Sequence, residues 1–177
     1  GGEGARARGI GAALLRAIRE QNGALGPSVA RARQLEKLAQ PGTAVVVTGQ
    51  QLGLFLGPLY TVYKALTAVQ WAKQLEAESG HPVVPVFWLQ SEDHDFDEVA
   101  IFRAHEPAGT LEEIRLPKRL GRRSISSLVH DESINGALDV LRRCLEGLPE
   151  GEREFERFRS NYSSGSSWVD SFTQTMA

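Results

Sequence analysis

Apolar residues recur at three- and four-residue intervals near the start of the chain, where Ile10, Leu14, Leu15 and Ile18 share one face and Asn22-Gly23 closes the segment. This spacing predicts a helix over residues 9–22. Pro27-Ser28 opens a second predicted helix to about Leu38, with Ser28 as its cap and Pro41-Gly42 as the turn after it. The period then changes. Ala44 to Thr48 is a short β-branched run between Gly42 and Gly49, too short for a helix and apolar throughout, which predicts a buried strand. Residues 49–57 (GQQLGLFLG) carry three glycines, and Pro58 follows, where its missing N–H suits the first turn of a helix. From there to Ser79 a stripe of Leu59, Val62, Tyr63, Leu66, Val69, Ala72 and Leu75 predicts a long helix. Val83 to Leu89 is a second apolar run, with Pro82 and Pro85 confined to its start. Strand, glycine-rich loop, helix and strand make a βαβ unit, so the two strands are expected to lie parallel with a right-handed crossover between them.

Beyond residue 100 the pattern is weaker. Ile101 to Ala104 and Leu111 to Leu116 read as strands either side of Pro107-Ala-Gly109, and Ile125 to Val129 as a third. Helices are expected from Ser133 to Leu145, over Glu150 to Arg159, and from Ser167 to the end, where Trp168 or Val169 shares a face with Phe172. Residues 163–167 (SSGSS) form the loop before the last of these, and no internal repeat interrupts the series.

Composition narrows the function classes. Among 177 residues, 22 acidic side chains face 20 Lys and Arg, leaving a formal charge of −2, so no general positive field recommends nucleic acid or an anionic membrane as partner. A hydrophobic content of 41% supports a packed core. Cys144 stands alone and cannot close an internal disulfide, which suits a reducing cytoplasm and excludes a cysteine-rich zinc site. No apolar run reaches the length of a membrane span, and the first residues lack the apolar centre of a signal peptide. The single methionine is Met176, so the chain is expected to be a piece of a longer protein. The fold class expected is α/β: a helical segment over residues 1–43, then a partial parallel-sheet domain over 44–177.

Two loops follow the two strands, and in a parallel sheet ligands bind outside the strands' carboxyl ends. In the first, Gly49, Gly53 and Gly57 would bring backbone N–H groups close to a ligand, with the start of the next helix favouring an anion; a tight strand-to-helix connection has the same appearance. The second, residues 90–97 (QSEDHDFD) with Glu98 next, gathers Glu92, Asp93, His94, Asp95 and Asp97 directly after a buried strand. Such clustering permits proton transfer and equally suits metal binding or a solvated cap on the next element. Tyr60 and Lys64, one turn apart, would point a hydroxyl and an ammonium toward the same edge. His105 and His130 read as surface residues, and Cys144, between Leu141 and Leu145, as a buried structural thiol.

Taken together, residues 46–65 (VVTGQQLGLFLGPLYTVYKA) and 85–99 (PVFWLQSEDHDFDEV) closely resemble the BshC family, the cysteine ligases of bacillithiol biosynthesis, and the likeness runs more loosely from Asn22 to the end. The resemblance implies a Rossmann-like core with flanking helices, here only its first part, in a longer protein with a connecting domain and a C-terminal coiled coil through which it forms a homodimer. It implies a soluble cytoplasmic ligase that adds cysteine to glucosaminyl malate, with ATP activating the cysteine carboxyl. On that reading Gly49, Gly53 and Gly57 cradle anionic oxygens, Gln50 and Gln51 orient them, Lys64 and Tyr60 assist, Glu92 and Asp93 help bind substrate, and His94 or Asp95 is the base. No metal is required, and the isolated chain is expected to be inactive. The paired histidines of adenylating enzymes are absent from the first loop, and no cysteines are available to hold a zinc ion. Two other readings stay open: a metal-dependent phosphohydrolase using Asp93, His94 and Asp95, and a nucleotide-binding lobe without chemistry of its own.

Overall fold

The computed structural model of the chain describes residues 9–117 and 123–177. It divides into two compact units, one made of the chain up to Gly49 with Tyr63–Trp88, the other of Gln50–Val62 with Leu89–Ala177.

In the first unit, α1 (Ala12–Gly23) ends where the Asn22 side chain turns back to donate to the Ile18 carbonyl, 2.8 Å away. Helix α2 (Val29–Leu38) starts at Ser28, whose hydroxyl accepts the Arg31 N–H at 3.3 Å. The strands β1 (Ala44–Gln51) and β2 (Val83–Gln90) form a two-stranded parallel sheet. Their contacts give the direction: Ala44 N–H donates to Pro82 O at the start of both strands, and Gly49 lies against Trp88 near the end of both. Partners that advance together along the chain require parallel strands. The long helix α3 (Tyr60–Ser79) makes the crossover between them, as the apolar pattern predicts. It begins two residues after Pro58, because the first N–H groups, those of Thr61 and Val62, are taken by the carbonyls of Pro58 and Leu59. Lys37 Nζ lies 2.6 Å from Glu76 Oε1, and Glu76 Oε2 also accepts the Val83 N–H. That one carboxylate ties α2, α3 and β2, and the Lys37 ammonium beside it holds its pKa below the usual range.

The second unit is built around a hairpin and three helices. Strands β3 (Ile101–His105) and β4 (Leu111–Arg115) pair antiparallel, from Ile101 opposite Arg115 to His105 opposite Leu111, across a turn whose Gly109 has φ +91°. Helix α5 (Ser133–Leu145) packs on this hairpin, α6 (Gly151–Asn161) on α5, and α7 (Trp168–Met176) on α6. Ile134, Ala137, Leu138, Leu141 and Cys144 form the buried stripe of α5, so the thiol is structural, and burial pushes its pKa up.

Two expectations are corrected here. Residues 125–129 are not a third strand: Ile125–Ser127 form a 3-10 turn, and only Val129 makes an isolated bridge, to Ser167. The serines decide this, because Ser124 Oγ accepts the Ser126 N–H and Ser127 Oγ donates to Ser124 O, bonds that compete with a ladder. His130 is not a surface residue. It is 2% exposed, with its ring stacked on Trp168 at 4.7 Å and its backbone held by Ser166 O and the Gly165 N–H. Nothing in the polar sequence around it marks that burial, which comes from α7 folding back over the turn. His105, by contrast, is exposed.

Candidate functional site

The glycine-rich loop begins inside the sheet. β1 continues through Gln51, and Gly49 is required there: a Cβ at this position would lie 2.7 Å from Trp88 O and 2.9 Å from Trp88 Cβ. Within the first unit, Lys64 Nζ donates to the Gly49 carbonyl at 2.8 Å.

The rest of the loop lies in the second unit. Leu52, Leu54 and Phe55 are buried, and Trp168 Nε1 donates to Leu52 O. Residues 54–56 make a short 3-10 turn in which Phe55 (φ 49°, ψ 44°) and Leu56 (φ 72°) adopt left-handed backbone before Gly57 (φ 68°). Side chains disfavour this region, so packing must hold it. The Phe55 ring meets Phe102, Phe158 and Tyr162 edge-on at 5.6, 5.7 and 5.0 Å. Burial there pushes the Tyr162 hydroxyl well above the usual phenol range. Gly53 is needed because a Cβ on it would stand 2.6 Å from Gly57 Cα. The N–H groups of Gly53 and Gly57 donate to Gln51 O and Leu54 O, so both are engaged inside the loop.

The side chains of the two glutamines turn to neighbours. Gln50 Nε2 donates to Tyr60 Oη at 2.9 Å. Gln51 Nε2 donates to Asp93 Oδ2 at 2.7 Å and to Glu98 Oε2 at 2.9 Å, joining the two loops that the sequence singles out.

The acidic loop is braced from three sides. Asp93 Oδ1 accepts the N–H groups of His94 (2.6 Å) and Asp95 (3.0 Å), while Oδ2 takes Gln51. The Gln51 bond, followed by the backbone ones, holds the Asp93 carboxyl below the usual carboxylate range. Asp95 Oδ1 accepts the Glu98 N–H at 3.1 Å and caps the single turn α4 (Phe96–Val99). From behind, Ser91 O accepts the Ser126 N–H and the Ser124 hydroxyl, both at 2.9 Å, and Asp93 O accepts the Ile125 N–H. Phe96 packs edge-on to Trp168 at 5.5 Å.

The structure thus brings Gln50, Gln51, Gly53, Gly57, Tyr60 and Glu92 to Asp95 into one unit and places Gly49 and Lys64 in the other. Asp93 and Asp95 work as loop ties. Glu92 and His94 are exposed, and the His94 imidazole has no hydrogen-bond partner among the described residues. The role of the Ser124–Ser126 turn is invisible in the sequence, since its contact with Ser91 spans a long separation without any shared motif. Among the described residues, no three His, Cys, Asp or Glu side chains converge as metal ligands.

Residues 4–177 match the family described as "Bacillithiol biosynthesis BshC, N-terminal Rossmann-like domain". Three similar proteins share the name "Putative cysteine ligase BshC". The one from Solibacter usitatus is 41% identical over 170 residues, which is 93% of this chain and 29% of the relative. That from Salinibacter ruber is 35% identical over 89% of this chain and 29% of its own length. That from Heliobacterium modesticaldum is 53% identical over 85 residues, 48% of this chain and 16% of the relative. The chain therefore spans less than a third of the length of these relatives. The parallel pair with its crossover helix, the two linked loops and a match over nearly every residue agree: the chain belongs to the BshC family, within its N-terminal Rossmann-like domain.

Proposed function

We propose that this chain supplies part of the active site of a cytoplasmic ligase that joins the carboxyl group of cysteine to the amine of glucosaminyl malate, a step of bacillithiol biosynthesis. The names of the relatives support the reaction class. The observation that carries the assignment to particular residues is the braced acidic loop, which holds its own carboxylates in hydrogen bonds while presenting the exposed His94 imidazole. A helix-ending or solvated loop has no need of so many ties, whereas a proton acceptor gains from a fixed position.

In this reaction the amine nitrogen attacks the activated carboxyl carbon, the amide C–N bond forms, the activating group leaves, and the ammonium proton passes to His94. Asp93 and Asp95 position the imidazole through the backbone bonds that fix the loop, and the exposed Glu92 offers a carboxylate to a cationic substrate group. Activation by ATP belongs to the same proposal. The N–H groups of Gly53 and Gly57 are engaged within their loop and do not fit a phosphate cradle, so these two glycines are not what would hold the nucleotide. Within the first unit, Lys64 donates to Gly49 O.

The test is reconstitution with the full-length protein, cysteine and glucosaminyl malate, with and without ATP, following the amide product by mass spectrometry. Product formation that His94→Ala lowers without changing the melting temperature supports the reading. Full activity in that variant removes His94 from it, and absence of product under every condition removes the reaction. The phosphohydrolase reading would need further ligands beside Asp93, whose carboxylate oxygens already accept three hydrogen bonds.

A further inference from the structure

Trp168, the first residue of α7 and 1% exposed, is where the segments that shape the acidic loop meet. Its indole Nε1–H donates to Leu52 O, next along the chain from Gln51. Its ring meets Phe96, the neighbour of Asp95, edge-on at 5.5 Å and 67°. Its backbone N–H donates at 3.0 Å to Leu128 O, at the end of the turn whose own N–H groups reach Ser91 O and Asp93 O. His130 stacks on the indole at 4.7 Å, so the ring is held at its face as well as at its edge.

These contacts close a circuit within the second unit. From Trp168 it runs to Leu52, along the chain to Gln51, across the Gln51 amide to Asp93, from that carboxylate to the N–H groups of His94 and Asp95, and through Phe96 back to Trp168. A series of contacts open at one end lets its last member swing, whereas a closed one fixes each member against the others. Indole suits the closing position because it joins a large apolar body to an N–H that needs a partner when buried. Leu52 is 0% exposed, so no water is at hand to replace that partner once it is lost.

We propose that Trp168 is a positioning residue of the candidate site: its indole sets the spacing between the Gln51 end of β1 and the segment that carries His94, and through it the place of the imidazole. The inference rests on the reading of His94 as the base. A misplacement of about 1 Å in a reacting group costs about a hundredfold in rate. A side chain that holds the base without touching substrate therefore acts on turnover and leaves substrate binding alone.

The experiment removes the indole N–H alone. In the full-length protein, Trp168→benzothienylalanine puts sulfur where Nε1–H stands and keeps the bicyclic shape, while Trp168→fluorotryptophan keeps the N–H. Phe96→Leu opens the circuit on its other side, should the first variant not fold. Leu141→Ala, in the buried stripe of α5, is the control for a general loss of stability. Hydrogen exchange over residues 93–96 is followed by mass spectrometry, and kcat and KM are measured for amide formation. The benzothienylalanine and Phe96→Leu variants should exchange at least about tenfold faster than the parent over these residues. They should lose about tenfold to a hundredfold in kcat with KM within about twofold, while the fluorotryptophan and Leu141→Ala variants keep the parent's values. Unchanged exchange in either circuit variant overturns the proposal, as does faster exchange with kcat unchanged, a loss of turnover matched by Leu141→Ala, or one carried by KM alone. If the parent makes no amide, the reaction proposed above fails, and the exchange comparison by itself upholds or overturns the role of Trp168.

Discussion

The Gln51 amide nitrogen sits 2.7 Å from Asp93 Oδ2 and 2.9 Å from Glu98 Oε2, so a single side chain at the end of β1 bridges both ends of the acidic loop. Gln51→Ala removes the largest cause of the lowered Asp93 pKa. The carboxyl should then titrate closer to the ordinary value of about 3.9, read by carbon NMR of labelled aspartate. The sign follows from linkage. A depressed folded pKa gives stability that is present above the unfolded value and is lost as pH falls through the folded one. The difference in stability between the parent and Gln51→Ala should therefore narrow as the solution is acidified below about pH 4. An unchanged Asp93 titration would show that the amide is not what holds the carboxylate.

Asp95 and His94 are neighbours with separable roles. Asp95→Ala loses the cap of α4 and should cost about 1 kcal/mol, whereas Asp95→Asn keeps an accepting oxygen and should be nearly neutral. His94→Ala should leave unfolding unchanged and, in the full-length enzyme, lower turnover by about 10² to 10⁴. Urea unfolding and rate measurements on the three variants separate cap from base. Equal losses of rate in Asp95→Asn and His94→Ala would instead make the aspartate a participant in proton transfer.

Gly53→Ala should destabilise the protein by about 1 to 3 kcal/mol, because the added methyl carbon would stand 2.6 Å from Gly57 Cα, a backbone atom that cannot swing aside. Gly136→Ala is the control, since its site has nothing within 4 Å and lies inside α5. Denaturant midpoints that move together for the two variants would contradict the close approach.

Thr61 is completely buried in the first turn of α3, and its hydroxyl has no hydrogen-bond partner among the described residues. Removing a buried, unmatched hydroxyl while keeping the side-chain shape relieves a desolvation penalty of about 1 to 3 kcal/mol. Thr61→Val is therefore expected to raise the melting temperature. A lower melting temperature would mean that the hydroxyl is satisfied in solution, for instance by water.

The contrast between Val83 to Leu89 and His130 separates what an amino-acid sequence carries locally from what only the folded chain decides. A run of apolar residues is a local property, and so are the spacing along α3 and the Ser28 cap, which is why the βαβ unit and most helices follow from the pattern. The two loops could be singled out because unusual residues were crowded into them. Their mutual contact could not, since Gln51 meets Asp93 across 42 positions and no periodicity records it. The same holds for Ser124 beneath Ser91 and for His130 against Trp168, where long-range closure decides burial and bonding. Gln51 is a further case: the amide expected to orient a ligand's oxygens donates to two carboxylates of its own chain, contacts that no local pattern records.

The left-handed stretch from Phe55 to Gly57 has a consequence for synthesis of the chain. Two of its three residues carry side chains that disfavour this backbone, and the rings that restrain Phe55 come from Phe102, Phe158 and Tyr162. The anchor on Leu52 arrives later still, from Trp168, 116 residues downstream. A ribosome releasing the polypeptide from its amino end thus emits this loop long before anything can clasp it, and until α7 emerges the segment is expected to sample ordinary right-handed and extended shapes. Hydrogen exchange on chains stalled before and after residue 168 should show protection at Leu54 to Gly57 only in the longer one, making the loop one of the last parts of the molecule to acquire its form.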